Sequence, residues 1–371
     1  MWPAALTATL GLLLLLAGGT FDAEPLYVPG VAFALLGLGA LAWVALGSLG
    51  VSVEREVSAR TVVEDQPVEV LVRVRAGLTP LLTGDVEDAL LPGGVRLALG
   101  ERAMALRIKA SFARRGPRTL APVRVVVRDP LGLASRTIAA DEGADVLVLP
   151  RVLPVTSPTG DGEQGTLSPR AGRPRIAAEV EIDGVRPYRP GAPASRIQWS
   201  VFARTGELWE RKLLADADAR TLVVLDPRTS GAADGEAALD AAVRAVASLT
   251  VGLAKQGGCS LLLPGDRRPV LIEPGLTAWP RAHVRLALVV DEDAGPELAR
   301  VAGRAGPVIY VAARPVGATP RVLLSGAGGA RILVVPGAPP AGAARRGAGR
   351  ALFVVAGCTG YAVGEPRRAA A

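Results

Sequence analysis

The sequence predicts three successive architectures: a transmembrane helical hairpin, a β-sandwich, and an α/β domain built on a mostly parallel sheet. Three observations carry this reading. Two long uncharged apolar runs fall within the first 51 residues. Period-two alternation dominates from there to about residue 150, with no long helical pattern between. Beyond residue 220, short continuous apolar runs alternate with helical patterns, as strands buried on both faces of a parallel sheet do. The 371 residues leave room for an anchor and two domains of ordinary size. The predicted boundaries are 1–51 for two transmembrane helices, 52–150 for the sandwich, 151–178 for a linker, and 179–371 for a motif-rich segment and the α/β domain.

The first run, Pro3 to Gly19, is about the shortest that crosses a bilayer as a helix. The second, Val28 to Val51, carries Trp43 and no charge. Met1-Trp2 supplies no basic region ahead of the first run and a second span follows at once, which argues against a cleaved signal peptide. The connector carries only acidic residues, Asp22 and Glu24, whereas Arg55 and Arg60 follow the second run. The positive-inside rule then puts the connector outside and the rest of the chain in the cytoplasm.

Between 52 and 150, V-E-V-L-V-R-V-R-A (68–76), A-L-R-I-K-A-S-F (105–112) and V-R-V-V-V-R (123–128) are separated by turns such as L-P-G-G and R-R-G-P. Several short strands over about 100 residues predict a sandwich of the immunoglobulin-like type, serving as a stalk or docking surface. Thr156 to Arg175 is rich in Pro, Gly, Ser and Thr and reads as a loop or linker.

In the α/β part, T-L-V-V-L-D (221–226) reads as a buried strand. Glu236 to Lys255 is a predicted helix with Leu239, Val243, Val246, Leu249 and Leu253 at helical spacing. C-S-L-L-L-P (259–264) and P-V-L-I-E (269–273) form strands joined by G-D-R-R, and Leu276 to Val290 a helix carrying Trp279. Strands recur at 308–313, 331–336 and 351–357. Ligands in such sheets sit at the carboxyl ends of strands near the switch point, which makes Asp226 the natural site position.

The densest chemistry lies at 183–226. Arg186, Tyr188, Arg189, Pro190 and Gly191 precede Arg196, Trp199, Arg204 and Glu210. Ser195 is a predicted N-cap for a short helix over 196–204 that ends at Gly206, with Ile197 and Val201 on its buried face. Arginines beside aromatic faces and carboxylates form cation–π stacks and bidentate pairs. Glu181, Asp183, Glu207 and Glu210 are the nearby partners. Two readings stand: an internal lattice clamping this segment onto the α/β domain, or a surface for a partner or anion.

The remaining signals mostly exclude. The formal net charge of +7 is nearly all arginine, since Lys109, Lys212 and Lys255 are the lysines, and it fits a GC-rich coding bias. A nucleic-acid surface needs a basic stripe with interleaved aromatics; 186–212 comes nearest and is an alternative docking site of that kind. Cys259 and Cys358 make neither a disulfide framework nor a metal site. The single His283, placed at the surface or core edge, rules out a multi-histidine metal site. G-A-G-G-A (326–330) lacks a following Walker lysine, and Asp291-Glu292-Asp293 reads as a solvated cap.

V-R-P-Y-R-P-G, R-I-Q-W-S-V-F-A-R-T-G-E-L and L-V-V-L-D resemble the core of the domain-of-unknown-function 58 family. These are bacterial membrane proteins related to von Willebrand factor A domains. R-R-G-P-R-T-L-A-P-V and D-P-L-G-L (129–133) are similar to that family's upstream β segment. The resemblance implies a von Willebrand A-like domain in a two-pass inner-membrane protein. It also implies partnership with a MoxR-type AAA+ ATPase and other von Willebrand A-domain proteins, in complex assembly or maturation, with no nucleic acid. Two departures stand out. Ala192 occupies the place of an aspartate after the P-G turn, and the metal-site pattern D-x-S-x-S reads Asp226-Pro-Arg228-Thr-Ser230. Arg228 brings a positive charge where a hard cation would need a hydroxyl oxygen. The expectation is therefore a degenerate site with no metal and no cofactor, in a non-enzymatic adaptor. A hydrolase centred on Asp226 is the competing class.

Overall fold

The computed structural model describes residues 2–140, 143–156, 182–188, 197–213, 220–229, 234–291, 295–296, 306–316, 320, 323, 330–337 and 351–363, with backbone alone for 182–186 and 210–213. It divides into two compact units, Met1–Val148 and Leu149–Ala371.

The first unit opens with α1 (Trp2–Phe21), a 3-10 turn (Glu24–Leu26) and α2 (Tyr27–Ser48). At about 1.5 Å rise per residue, the 20 residues of α1 reach about 30 Å, close to the thickness of a hydrocarbon core. Both helices are long and apolar enough to cross a membrane. Small residues let them meet backbone to backbone. A Cβ on Gly37 would stand 2.5 Å from the Ala8 amide nitrogen, and one on Gly11 would run into Ala34. This is how apolar helices associate where burial from water cannot drive them together. Their leucines, among them Leu6, Leu10, Leu13, Leu35 and Leu38, face outward and stay exposed.

The same unit continues as β1 (Ser52–Val57), β2 (Thr61–Val63), β3 (Val68–Arg75), β4 (Gly84–Glu87), β5 (Val95–Arg96), β6 (Ala103–Ala110), β7 (Gly116–Leu120), β8 (Arg124–Arg128), β9 (Ser135–Ala139) and β10 (Ala144–Leu149). They form small sheets in the orders β1-β3-β6, β2-β10-β7 and β5-β4-β8-β9. In β3, Val68, Val70, Val72 and Val74 are buried while Glu69, Arg73 and Arg75 face solvent, so the period-two pattern does select the core face. Val70, Val86, Val125 and Val146 bring all three sheets into one core.

In the second unit, β11 (Ile182–Pro187), α3 (Trp199–Thr205) and β12 (Trp209–Leu213) precede β13 (Leu222–Asp226) and α4 (Gly235–Gly257). Then come β14 (Cys259–Leu262), β15 (Val270–Ile272), α5 (Trp279–Leu288), β16 (Val308–Ala312), β17 (Arg331–Pro336), β18 (Ala351–Val355) and β19 (Cys358–Ala362). The sheet runs β15-β14-β13-β16-β17-β19-β18. Its centre, β14-β13-β16-β17, is parallel. Its margins are antiparallel, through β15 on one side and β19 with β18 on the other, so the sheet is mixed. Each residue of β13, β14 and β16 is buried, as a strand covered on both faces requires. Val223 and Leu225 pack with α4, while Leu222 and Val224 join Tyr310 and Leu333 in a second cluster.

Two expectations change. The sheet expected to be mostly parallel is mixed, because its marginal strands return through short turns rather than helical crossovers. The short helix begins at Trp199 rather than residue 196, with Gln198 as its N-cap. Ile197 lies ahead of it in extended backbone, and the expected cap Ser195 falls outside the described residues. Gln198 N–H donates to Trp209 O at 2.7 Å, so the chain ahead of the helix is tied to the start of β12. Of the two places expected for His283, surface or core edge, the residue takes the core edge, 8% exposed within α5. Its Nε2 lies 2.7 Å from Pro150 O, and its ring stacks on Trp279 at 4.6 Å and 23°.

Burial pushes His283 below the ordinary imidazole value, and the Pro150 bond offsets that only in part. The unfolded chain therefore holds a proton that the folded one rejects. The stabilisation is fully present above about pH 6.5 and declines as pH falls below it. The thermal midpoint of the second unit should drop between pH 7 and pH 5, and His283→Gln should flatten that slope. A slope equal in both forms would show that His283 does not control it.

Candidate functional site

Asp226 ends β13, directly between the parallel neighbours β14 and β16. The chain leaves β13 towards β14 and later returns to β16 on the opposite side, so the carboxyl ends of these strands open a crevice at Asp226. The backbone is fixed there: Ala313 N–H donates to Asp226 O at 2.9 Å.

The Asp226 side chain is 2% exposed, and each oxygen has its donor. Arg228 Nε donates to Oδ1 at 2.7 Å and Nη2 to Oδ2 at 2.8 Å, a bidentate fork. Tyr310 O–H, from the adjoining β16, donates to Oδ2 at 2.7 Å. Arg314 Nη2 stands 3.7 Å from the same oxygen. The Arg228 side chain is 30% exposed, so the pair has one buried member and one at the surface. A Cβ on Gly295 would stand 2.8 Å from the Arg228 guanidinium carbon; the bare backbone there makes room for the fork.

The next residue is tied to another loop. Asp291 accepts Thr229 N–H at 3.1 Å and also the Thr229 hydroxyl. A Cβ on Gly235 would lie 2.8 Å from Thr229 Oγ1, so the start of α4 hugs this loop as well. Asp291 thus anchors Thr229, besides facing solvent as a cap would. Pro227, Arg228 and Thr229 are held between two carboxylates, one ending β13 and one following α5.

Burial alone would raise the Asp226 carboxyl. The bonds from Arg228 and Tyr310 and the charge of Arg228 outweigh it and hold the group below the ordinary carboxylate value. The bond to Asp226 and its charge raise Arg228; burial, then the charge and bond of Asp226, raise Tyr310 against the opposing effect of Arg228. Both oxygens of Asp226 are occupied by donors and a guanidinium stands against them. This set does not fit a hard divalent cation, which takes carboxylate and hydroxyl oxygens. Ser230, the other metal-pattern residue, falls outside the described residues.

The motif segment lies on β11, α3 and β12. β11 and β12 pair antiparallel with Arg186 opposite Glu210 and Pro187 opposite Trp209, and Tyr188 N–H donates to Leu208 O at 2.9 Å. α3 ends at Gly206, whose φ of +72° suits glycine and whose N–H returns to Phe202 O. Trp199 is 59% exposed and meets Phe202 edge to face at 6.1 Å; Arg204 is exposed in the last turn. Arg189, Pro190, Gly191 and Arg196 fall outside the described residues. Tyr310, Arg314 and Thr229 are site residues that motif reading missed, and Asp291, read as part of a solvated cap, is the anchor of Thr229. The one signal available was a lone tyrosine inside an apolar strand that ends two residues before an arginine.

Arg228→Ala should leave Asp226 charged, buried and held by Tyr310 and Arg314. Removing one partner of a buried ion pair costs about 3–5 kcal/mol, and the remaining donors with the partly exposed Arg228 place this case at or below the lower end. The Asp226 contribution is present above about pH 4 and lost as pH falls through the lowered folded value. Asp226→Asn should accordingly weaken the acid dependence of unfolding measured by denaturant titration at pH 3–6. An unchanged acid limb would refute the role of this carboxylate.

No curated protein matches the chain. Residues 184–297 match the family model described as "Protein of unknown function DUF58", a span that takes in the motif hairpin, Asp226, Arg228 and the loop of Gly295.

Proposed function

We propose that the chain is a non-catalytic membrane adaptor whose second unit is a von Willebrand A-like domain in the cytoplasm. Counting β13 as the first strand, the sheet runs 3-2-1-4-5 through β17, with the third strand antiparallel at the edge; this doubly wound order supports the reading. The small antiparallel sheets around one core support an immunoglobulin-like spacer between membrane and adaptor domain. The apolar hairpin supports a two-pass anchor in the bacterial inner membrane. The partner in this reading is a MoxR-type AAA+ ATPase, with other von Willebrand A-domain proteins.

One observation carries the reading. At the position where a metal-dependent domain would hold a cation, Asp226 holds Arg228. The guanidinium supplies positive charge permanently, so the crevice keeps its shape without an ion. A hydrolase centred on Asp226 is disfavoured for the same reason: the carboxylate is engaged on both oxygens and its proton affinity is lowered, which suits neither a general base nor an acid near neutral pH. The degenerate site should take up no magnesium or manganese in calorimetry with the full chain in detergent. Stoichiometric tight binding would overturn that.

The exposed Trp199, Phe202 and Arg204 on α3 form the docking surface in this proposal, with aromatic and arginine anchors of the kind that dominate interfaces. Affinity purification of the full chain in mild detergent should recover an AAA+ ATPase in a nucleotide-dependent way. Trp199→Ala with Arg204→Ala should abolish recovery without lowering the thermal midpoint. No ATPase with or without ATP would defeat the partnership. Nucleic-acid binding through 186–212 would appear instead as affinity falling steeply with salt.

A further inference from the structure

The D-P-L-G-L segment at 129–133 has no part in the adaptor site, and its geometry points elsewhere. Leu133 O accepts the amide of Ala4 at 3.0 Å. Ala4 sits in the first turn of α1, where N–H groups have no partner within the helix and Pro3 has none to offer. Ala4, Ala40, Val44 and Ala134 form one buried cluster, with Leu41 and Leu133 packed against it. The loop between β8 and β9 therefore caps α1 and fills the space beside α2 that the shorter α1 leaves open.

Several of the loop's N–H groups are satisfied internally. The Asp129 carboxylate, itself buried, accepts Leu131 N–H at 3.0 Å and Ala134 N–H at 2.5 Å. Gly132 N–H donates to Asp129 O at 3.1 Å, in a turn whose φ of +73° at Gly132 calls for glycine. Pro130 has no N–H. These are the conditions under which a loop can leave water at low cost. Its tip, Leu131, is 63% exposed.

A neighbouring segment repeats the arrangement. Leu78 N–H donates to Leu49 O at 3.0 Å, just past α2, and Leu82 packs on Gly47. Leu78 is 69% exposed. Arg136 Nη1 donates to Ser48 Oγ at 3.2 Å and Arg102 Nη1 to Gly77 O at 3.3 Å, so guanidinium groups flank both loops at headgroup level.

Length fixes the depth. All 20 residues of α1, about 30 Å, are needed to cross a hydrocarbon layer of about 30 Å. The first turn of α1 therefore lies at the edge of that layer, and a loop hydrogen-bonded to it lies there too. We infer that the 129–134 loop and the 77–82 segment are seated in the bilayer interface, with Leu131 and Leu78 inserted among the lipid chains. The first unit is then held at the membrane by a collar as well as by its two helices. This rests on α1 and α2 spanning the membrane.

The test uses the full chain in lipid vesicles, with an environment-sensitive fluorophore on Leu131→Cys, Leu78→Cys, Leu13→Cys or Glu69→Cys, one at a time. All four positions are exposed, so labelling leaves the core intact. Cys259 and Cys358 are buried thiols pushed up to about 12 and stay unlabelled at neutral pH. Nitroxide lipids with the spin label near the headgroup or deep in the chain report depth. Leu131 and Leu78 labels should be blue-shifted and quenched at least about twofold more by shallow nitroxides than the Glu69 label, with Leu13 quenched by the deep ones. If Leu13 is quenched while Leu131 and Leu78 behave like Glu69, the collar is refuted and the spans stand. If Leu131 is shielded from water yet untouched by lipid nitroxides, a protein partner covers it and the collar is again refuted. If Leu13 itself is not quenched, the spanning reading fails and takes the collar with it.

Discussion

A carboxylate buried at the end of a central strand must be neutralised where it stands, and in this chain the neutralising group lies two residues further on. The Asp226–Arg228 fork fixes more than its own charge. Arg228 in the fork requires bare backbone at Gly295, and the next residue, Thr229, is held by Asp291 against the bare backbone of Gly235. Tyr310 ties the same carboxylate to the adjoining strand, so two parallel strands and two loops share one electrostatic centre. Removing water from such a pair is costly, and a fork with further donors is the geometry that recovers the cost.

Much of the architecture was legible in the sequence because the physical signals are one-dimensional. Uncharged runs marked α1 and α2, alternation marked β3 and β6, and the spacing of Leu239, Val243, Val246, Leu249 and Leu253 marked α4. β19 was not legible: C-T-G-Y-A offers neither an apolar run nor alternation, and it becomes a strand because the Ala356-Gly357 turn returns the chain between β17 and β18. The start of α3 was misplaced for a related reason. The chain ahead of it, at Ile197 and Gln198, is extended and tied to Trp209, a contact between segments that local propensity does not encode. At the site, Asp226 and Arg228 could be singled out because they are adjacent in sequence, whereas Tyr310, Arg314 and Asp291 arrive through sheet order.

The two units solve opposite solvation problems with the same residue types. Glycine brings α1 and α2 into backbone contact, where packing rather than water exclusion holds helices together. In the second unit, Gly295 makes room for the charged Arg228 side chain. Leucine likewise points outward from α1 and inward from α4, and the difference lies in what surrounds each helix.

α4 has a consequence for how the chain is made. Its 23 residues are apolar enough to cross a membrane, and its burial in the second unit comes from packing on a sheet whose later strands follow it in the chain. During synthesis at a membrane, this segment emerges before β14, β16 and β17 exist to cover it. Only β13 has preceded it among the strands of that sheet. Its rescue from the insertion machinery then depends on Glu236, Asp240 and Arg244, charged groups early in the helix that raise the cost of entering lipid. In the finished protein these residues mark a helix end and its flank; in the nascent chain they decide how many times it crosses.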